Sequence, residues 1–183
     1  RALESGSITM LSGSPGDGKT FWLLQSLIGW RNEGVRAVVC MLEKPRSWHL
    51  TRVLALLAKQ PNLTSAEWVK KHPREKNEWL AQYESHIEAI GESIATANQV
   101  GESLEAIGRW IDAEADESDI VVVDPISLAD AGDKRWIADT KFITGCIRAC
   151  ERTGVRIVLV THPNATKGGP VSLSSLMGGV TYQ

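Results

Sequence analysis

The chain has 183 residues, 43% hydrophobic and 23% charged, close to the average folded soluble domain, which excludes wholesale disorder. Its 20 Lys and Arg against 22 Asp and Glu leave a formal charge of −2, so it carries no general basic coat, and nucleic-acid binding would need a local patch. No apolar run reaches the roughly 18–20 residues that span a bilayer, and Arg1-Ala2-Leu3-Glu4 lacks the grammar of a signal peptide, so the expected setting is the cytoplasm.

One domain over 1–183 is expected, as part of a longer protein, because Val180-Thr181-Tyr182-Gln183 brings no closing signal. In chain order, Ser7–Leu11 reads as a short strand, and a glycine-rich turn leads into a helical pattern over Lys19–Asn32 closed by Gly34. Ala37–Leu42 is continuously apolar, the mark of a strand buried on both faces. A helix is expected over Arg46–Lys59, with Leu50, Val53, Leu54 and Leu57 on one side. Residues 61–92 are polar and Trp-containing, and read as a helical insertion or elaborated crossover. Ile94–Val100 reads as a short strand, Glu102–Ala115 as a helix, Ile120–Val123 as a buried strand, Trp136–Arg152 as a helix and Arg156–Thr161 as a strand. Strands alternating with helices predict an α/β fold, a mostly parallel sheet with helices on both faces.

Cys40, Cys146 and Cys150 cannot all pair and show no CxxC spacing; the last two stand four apart on one helical face and read as structural thiols. The seven tryptophans read as core or interface anchors, with Trp22, Trp110 and Trp136 inside helical apolar patterns. His49, His72 and His86 read as incidental on helix or insertion surfaces.

Gly13-Ser14-Pro15-Gly16-Asp17-Gly18-Lys19-Thr20 matches G-x-x-x-x-G-K-[ST], between an expected strand and an expected helix. Glycines let backbone N–H groups turn inward around phosphates, and the helix N-terminus adds positive potential. Lys19 is expected to reach the β- and γ-phosphates of ATP, and the Thr20 hydroxyl to ligate Mg²⁺. Val121-Val122-Val123-Asp124 ends an apolar strand in a carboxylate, which a parallel sheet delivers to its ligand-binding edge; Asp124 is the expected second Mg²⁺ residue. Alone, such an aspartate is as often a turn residue. The first strand after the phosphate-loop helix ends Cys40-Met41-Leu42-Glu43 and brings Glu43 to the same edge, where a carboxylate can polarise the attacking water. A helix-capping role after Pro45 is the alternative. Val158-Leu159-Val160-Thr161-His162 brings His162 there as a candidate γ-phosphate contact, against a plain turn histidine.

These four elements together resemble the RecA-like P-loop ATPases, and among them the hexameric replicative helicases: DnaB-type helicases and the helicase halves of phage and mitochondrial primase-helicases. The resemblance implies that Glu43 is the catalytic base and His162 the γ-phosphate sensor. It implies a single-stranded DNA loop at Asn164–Val171, with Asn164, Lys167 and Gly168 as contacts, and a homo-hexamer in the full-length protein. Leu173-Ser174-Ser175-Leu176-Met177-Gly178-Gly179 resembles the segment just beyond. Such helicases complete each site with a neighbour's arginine, and no arginine follows Arg156; their DNA loop carries several bases, and here Lys167 stands alone.

Two functions are therefore open: an ATP-driven motor on single-stranded DNA, phage-, plasmid- or bacterium-encoded, or a non-motor ATPase acting as a nucleotide-gated module, similar to the KaiC or recombinase-mediator groups. No Asn-Lys-x-Asp run is present to read guanine.

Overall fold

Five short runs dominated by Val, Ile and Ala pair into one sheet in the computed structural model, which describes residues 3–133 and 135–162. They are β1 (Ile8–Ser12), β2 (Ala37–Met41), β3 (Ile94–Thr96), β4 (Ile120–Asp124) and β5 (Arg156–Thr161). Their order is β1-β5-β4-β2-β3, and every pairing is parallel. Ser12 pairs with Thr161, and Met41 with both Asp124 and Thr96, so all five strands finish along one edge.

The helices are α1 (Lys19–Asn32), α2 (Arg46–Ala58), α3 (Ala66–Lys71), α4 (Pro73–Glu92), α5 (Ala97–Val100), α6 (Leu104–Glu114) and α7 (Arg135–Thr153). The period of two along each strand sorts them into two layers. Val121, Val123, Ile157 and Leu159 share one core with Leu104, Ile107 and Ile111 of α6 and Phe142, Cys146, Ala149 and Cys150 of α7. Val39, Met41, Val122, Val158 and Val160 face the other way, onto Leu23, Leu24 and Leu27 of α1, Val53 of α2 and Ile90 of α4. The fold is α/β with three layers, as expected. The three thiols are buried, and burial pushes Cys40 and Cys146 up to about 12, which keeps them protonated and inert.

Two expectations need revision, that for Ile94–Val100 and that for two of the tryptophans. Ile94–Val100 is a strand only to Thr96, because Thr96 and Gln99 form a capping box that starts α5 at once. Residues 61–92 are helical, as expected: a 3-10 turn (Pro61–Thr64), α3 and α4 pack onto α2 through Leu54, Leu63 and Ile87 as a separate small core, with Trp68, Trp79 and Tyr83 half-buried at its margin. Trp110 packs against the α6–α7 core, but Trp22 is 46% and Trp136 67% exposed, so the apolar patterns around them do not bury these two.

Candidate functional site

β1 runs out at Ser12, and the chain turns through 13–18 into α1. Gly16 and Gly18 have φ of +91° and +81°, which side chains rarely adopt. Gly18 caps α1 with no side-chain acceptor, so the first helical amides keep their donors. Asp17 closes the loop on itself: its Oδ2 accepts from the Ser14 N–H at 2.7 Å. A Cβ at Gly13 would stand 3.1 Å from that oxygen, tighter than nearly all real contacts. Lys19 folds back over the turn, where its Nζ donates to the carbonyls of Gly13 and Ser14 at 2.6 and 2.8 Å. The ammonium-bearing Lys19 is buried, while residues 14–18 of the loop are exposed.

Thr20, next on α1, donates its hydroxyl to Asp124 Oδ2 at 2.8 Å, although 104 residues separate them. Asp124 is only 4% exposed, and burial pushes its carboxyl above the ordinary value. The Thr20 hydrogen bond opposes that shift, the Glu43 charge adds to it, and His162 and Lys19 oppose it. The Leu42 N–H donates to the Asp124 carbonyl at 2.8 Å, which sets Glu43 two residues beyond Met41, the aspartate's strand partner. Glu43 is half-exposed, with Lys44 Nζ at 3.8 Å. α2 has no side-chain cap, so Glu43 does not cap that helix by a hydrogen bond. His162 follows β5, its N–H donating to the Ser127 hydroxyl at 3.4 Å. Its Nδ1 is buried without a partner among the described residues.

A cleft of about 530 Å³ joins these groups. Pro15, Gly16, Gly18, Lys19 and Thr20 form one wall, and Glu43, Asp124 and His162 meet them across it. Sequence reasoning missed Trp48, His49 and Arg52 from the first two turns of α2, and Phe21 and Leu128 at the rim. His49 does not lie on a helix surface as expected: it is 2% exposed and lines the cleft. Trp48 and Arg52 stand at helical spacing, the guanidinium carbon 3.1 Å from the indole centroid. The available signal was positional, since a helix that starts at the carboxyl edge of a parallel strand begins beside the ligand crevice. A second cavity, about 450 Å³, opens by Leu27, Arg36 and Ser118 and contains none of the motif residues. Asn164, Lys167 and Gly168 lie outside the described residues.

The donor set fits Mg²⁺ with a nucleotide. Thr20 and Asp124 offer hard oxygens at contact distance, and the buried carboxylate lacks a full counter-charge. Among the described residues no group of three or more His, Cys, Asp and Glu could hold a metal, so such a cation would draw its remaining ligands from phosphate oxygens and water.

No curated protein matches the sequence. Among solved structures, that of a DnaB-like replicative helicase, described with its interactions with primase, superposes with a TM-score of 0.71 at 15% identity. The match covers 95% of this chain and 45% of that one, so the chain spans less than half the length of that helicase. The likeness is one of fold, the RecA-like fold that the sheet order and phosphate loop already describe. The AAA domain family matches residues 1–168, a span that contains the phosphate loop and all five strands. By that match, the chain belongs to the AAA domain family.

Proposed function

We propose that this chain is an ATP-hydrolysing motor domain that acts on single-stranded DNA, of the replicative helicase or primase-helicase type. The observation that carries the reading is the meeting of Lys19, Thr20, Asp124, Glu43 and His162 around one cleft, although they come from four separate strand ends. In this reading Lys19 exchanges the Gly13 and Ser14 carbonyls for phosphate oxygens, and the free amides at the start of α1 bind the rest. Thr20 and Asp124 hold Mg²⁺, which withdraws charge from the phosphates when bound. Glu43 accepts the proton of the water that attacks the γ-phosphorus as the bond to ADP breaks. His162 hydrogen-bonds the γ-phosphate, and its place just before the expected DNA loop at 164–171 couples that contact to DNA. The fold shared with a DnaB-like replicative helicase supports the motor assignment, and in the full-length protein a homo-hexamer would present one such loop per subunit. Every role proposed belongs to a chain whose described helices include none long and apolar enough to cross a membrane.

Steady-state ATP turnover with nucleotide-binding titrations tests the reading. Lys19→Ala is expected to abolish hydrolysis and weaken ATP binding. Glu43→Gln is expected to keep ATP and Mg²⁺ binding and lower kcat by roughly 10²-fold or more, the scale of losing a general base. Normal turnover in Lys19→Ala would remove the ATPase assignment itself.

A further inference from the structure

The turn that carries Glu43 is thinly held. Beyond the Leu42 hydrogen bond to Asp124, residues 43–45 belong to neither β2 nor α2. Pro45 has no N–H to anchor, and the Trp48 N–H, in the first turn of α2, goes to the Pro45 carbonyl at 3.0 Å. The Lys44 carbonyl instead meets a side chain, His49 Nε2, at 3.2 Å.

That histidine is a costly choice for packing alone. It is 2% exposed, packs edge-on against Trp48 with ring centroids 4.9 Å apart, and lines the cleft. Because a carbonyl only accepts, Nε2 carries the hydrogen, and Nδ1 is left a bare acceptor. Nδ1 is buried with no partner among the described residues. A leucine would fill similar space without an orphaned nitrogen. The charges around the ring are Glu43 and Arg52, both on the same cleft. Arg46, one turn earlier, ties α2 to the Ile94 carbonyl of β3, so the helix that bears His49 is itself anchored.

We propose that His49 is a positioning residue for Glu43: through the Lys44 carbonyl it fixes the turn between β2 and α2, and so holds the carboxylate at its working distance from Asp124 and Lys19. The proposal rests on the reading of Glu43 as the base. It gives α2 a part in the reaction without any contact to the reacting atoms.

The test is single- and multiple-turnover ATP hydrolysis by His49→Leu and His49→Gln, each in the wild-type and the Glu43→Gln background. Hydrogen exchange over residues 42–48 is measured in parallel. His49→Leu is expected to lower kcat about tenfold or more, as small misplacements of reacting groups do, while KM for ATP stays within about twofold. Glutamine can donate to the same carbonyl and is expected to restore most of the rate and the slow exchange. In the Glu43→Gln background His49→Leu is expected to change nothing further, the non-additive signature of two residues acting as one. An unchanged kcat in His49→Leu overturns the proposal, as does an equal loss in both backgrounds or a glutamine no better than leucine. Glu43→Gln that turns over normally while Lys19→Ala is inactive removes the base assignment and this proposal together, and leaves the ATPase standing.

Discussion

Burial strains two titratable residues at the cleft in opposite directions. Asp124 keeps its proton more readily than a free aspartate, so holding it ionised at neutral pH costs folding stability, a cost that Thr20, His162 and Lys19 reduce. His49 gives up its proton more readily: burial lowers it from 6.5 to about 4, Arg52 pushes the same way, and the Lys44 carbonyl and Glu43 oppose. The folded imidazole therefore binds fewer protons than the unfolded one between those two values. The stability it confers is complete above pH 6.5 and lost as pH falls through about 4. That interval corresponds to about 3 kcal/mol. Urea unfolding is expected to show a midpoint that falls between pH 7 and pH 4.5, and His49→Gln to flatten much of that fall. A slope that survives in His49→Gln would remove His49 as its source; Asp124, held above its ordinary value, works in the opposite sense. Lys19, Thr20, Glu43, Asp124 and His162 were legible because each sits in a local run whose neighbours announce its position on a strand end or phosphate loop. His49 was not. A histidine in the sequence Trp48-His49-Leu50 carries no sign of which side of α2 will meet the cleft.

At the level of elements, α6 and α7 separate what packing contributes from what surface charge contributes. Ile111 is 1% exposed between α6, α7 and the sheet, so Ile111→Ala removes a fully buried side chain and is expected to cost about 2–5 kcal/mol. Arg152 forks across the same two helices, with Nη2 2.7 Å from Asp112 Oδ1 and Nη1 on Asp116, but in solvent, where such pairs contribute little. Arg152→Ala is expected to leave the thermal midpoint nearly unchanged, and Ile111→Ala to lower it by many degrees. Similar losses from the two would mean that the charge fork, and not the apolar seam, joins these helices. Helix and strand limits followed from the sequence within a residue or two where the apolar pattern was clear, as in α6 and β5. They failed at Ile94–Val100, where a three-residue strand hands over directly to a capped helix and neither period has room to develop.

For the whole molecule, the decisive feature is that β5 lies between β1 and β4. The phosphate loop and Asp124 thus flank the strand that ends in His162. Between 163 and 183 the only charged residue is Lys167, so no acid repels a phosphate backbone there. In the assembled full-length protein, single-stranded DNA is expected to bind weakly, more tightly with ATP, and with strong salt dependence. DNA is expected to stimulate ATP turnover. Lys167→Ala is expected to reduce the salt slope by about one charge per bound subunit. Equal affinity of wild type and Lys167→Ala at low salt would leave the ATPase in place and take the DNA contact elsewhere. Turnover indifferent to DNA would favour a nucleotide-gated module over a motor.

The sequence alone determined the phosphate loop, the alternation of strands and helices, and the strand-end carboxylates, because all of these are encoded in contiguous residues: a spacing, a period, an apolar run with its terminal side chain. Tertiary structure decided the strand order, which depends on parallel pairings between segments up to 149 residues apart, such as Ile8 with Ile157. It also decided which apolar side chains are covered: the pattern around Trp136 and Trp22 marks a helix face, but only the neighbours available in space determine whether that face meets a core. The same reason places Trp48, His49 and Arg52 in the cleft. Their chemistry is written in α2, and their role depends on the sheet edge against which α2 begins.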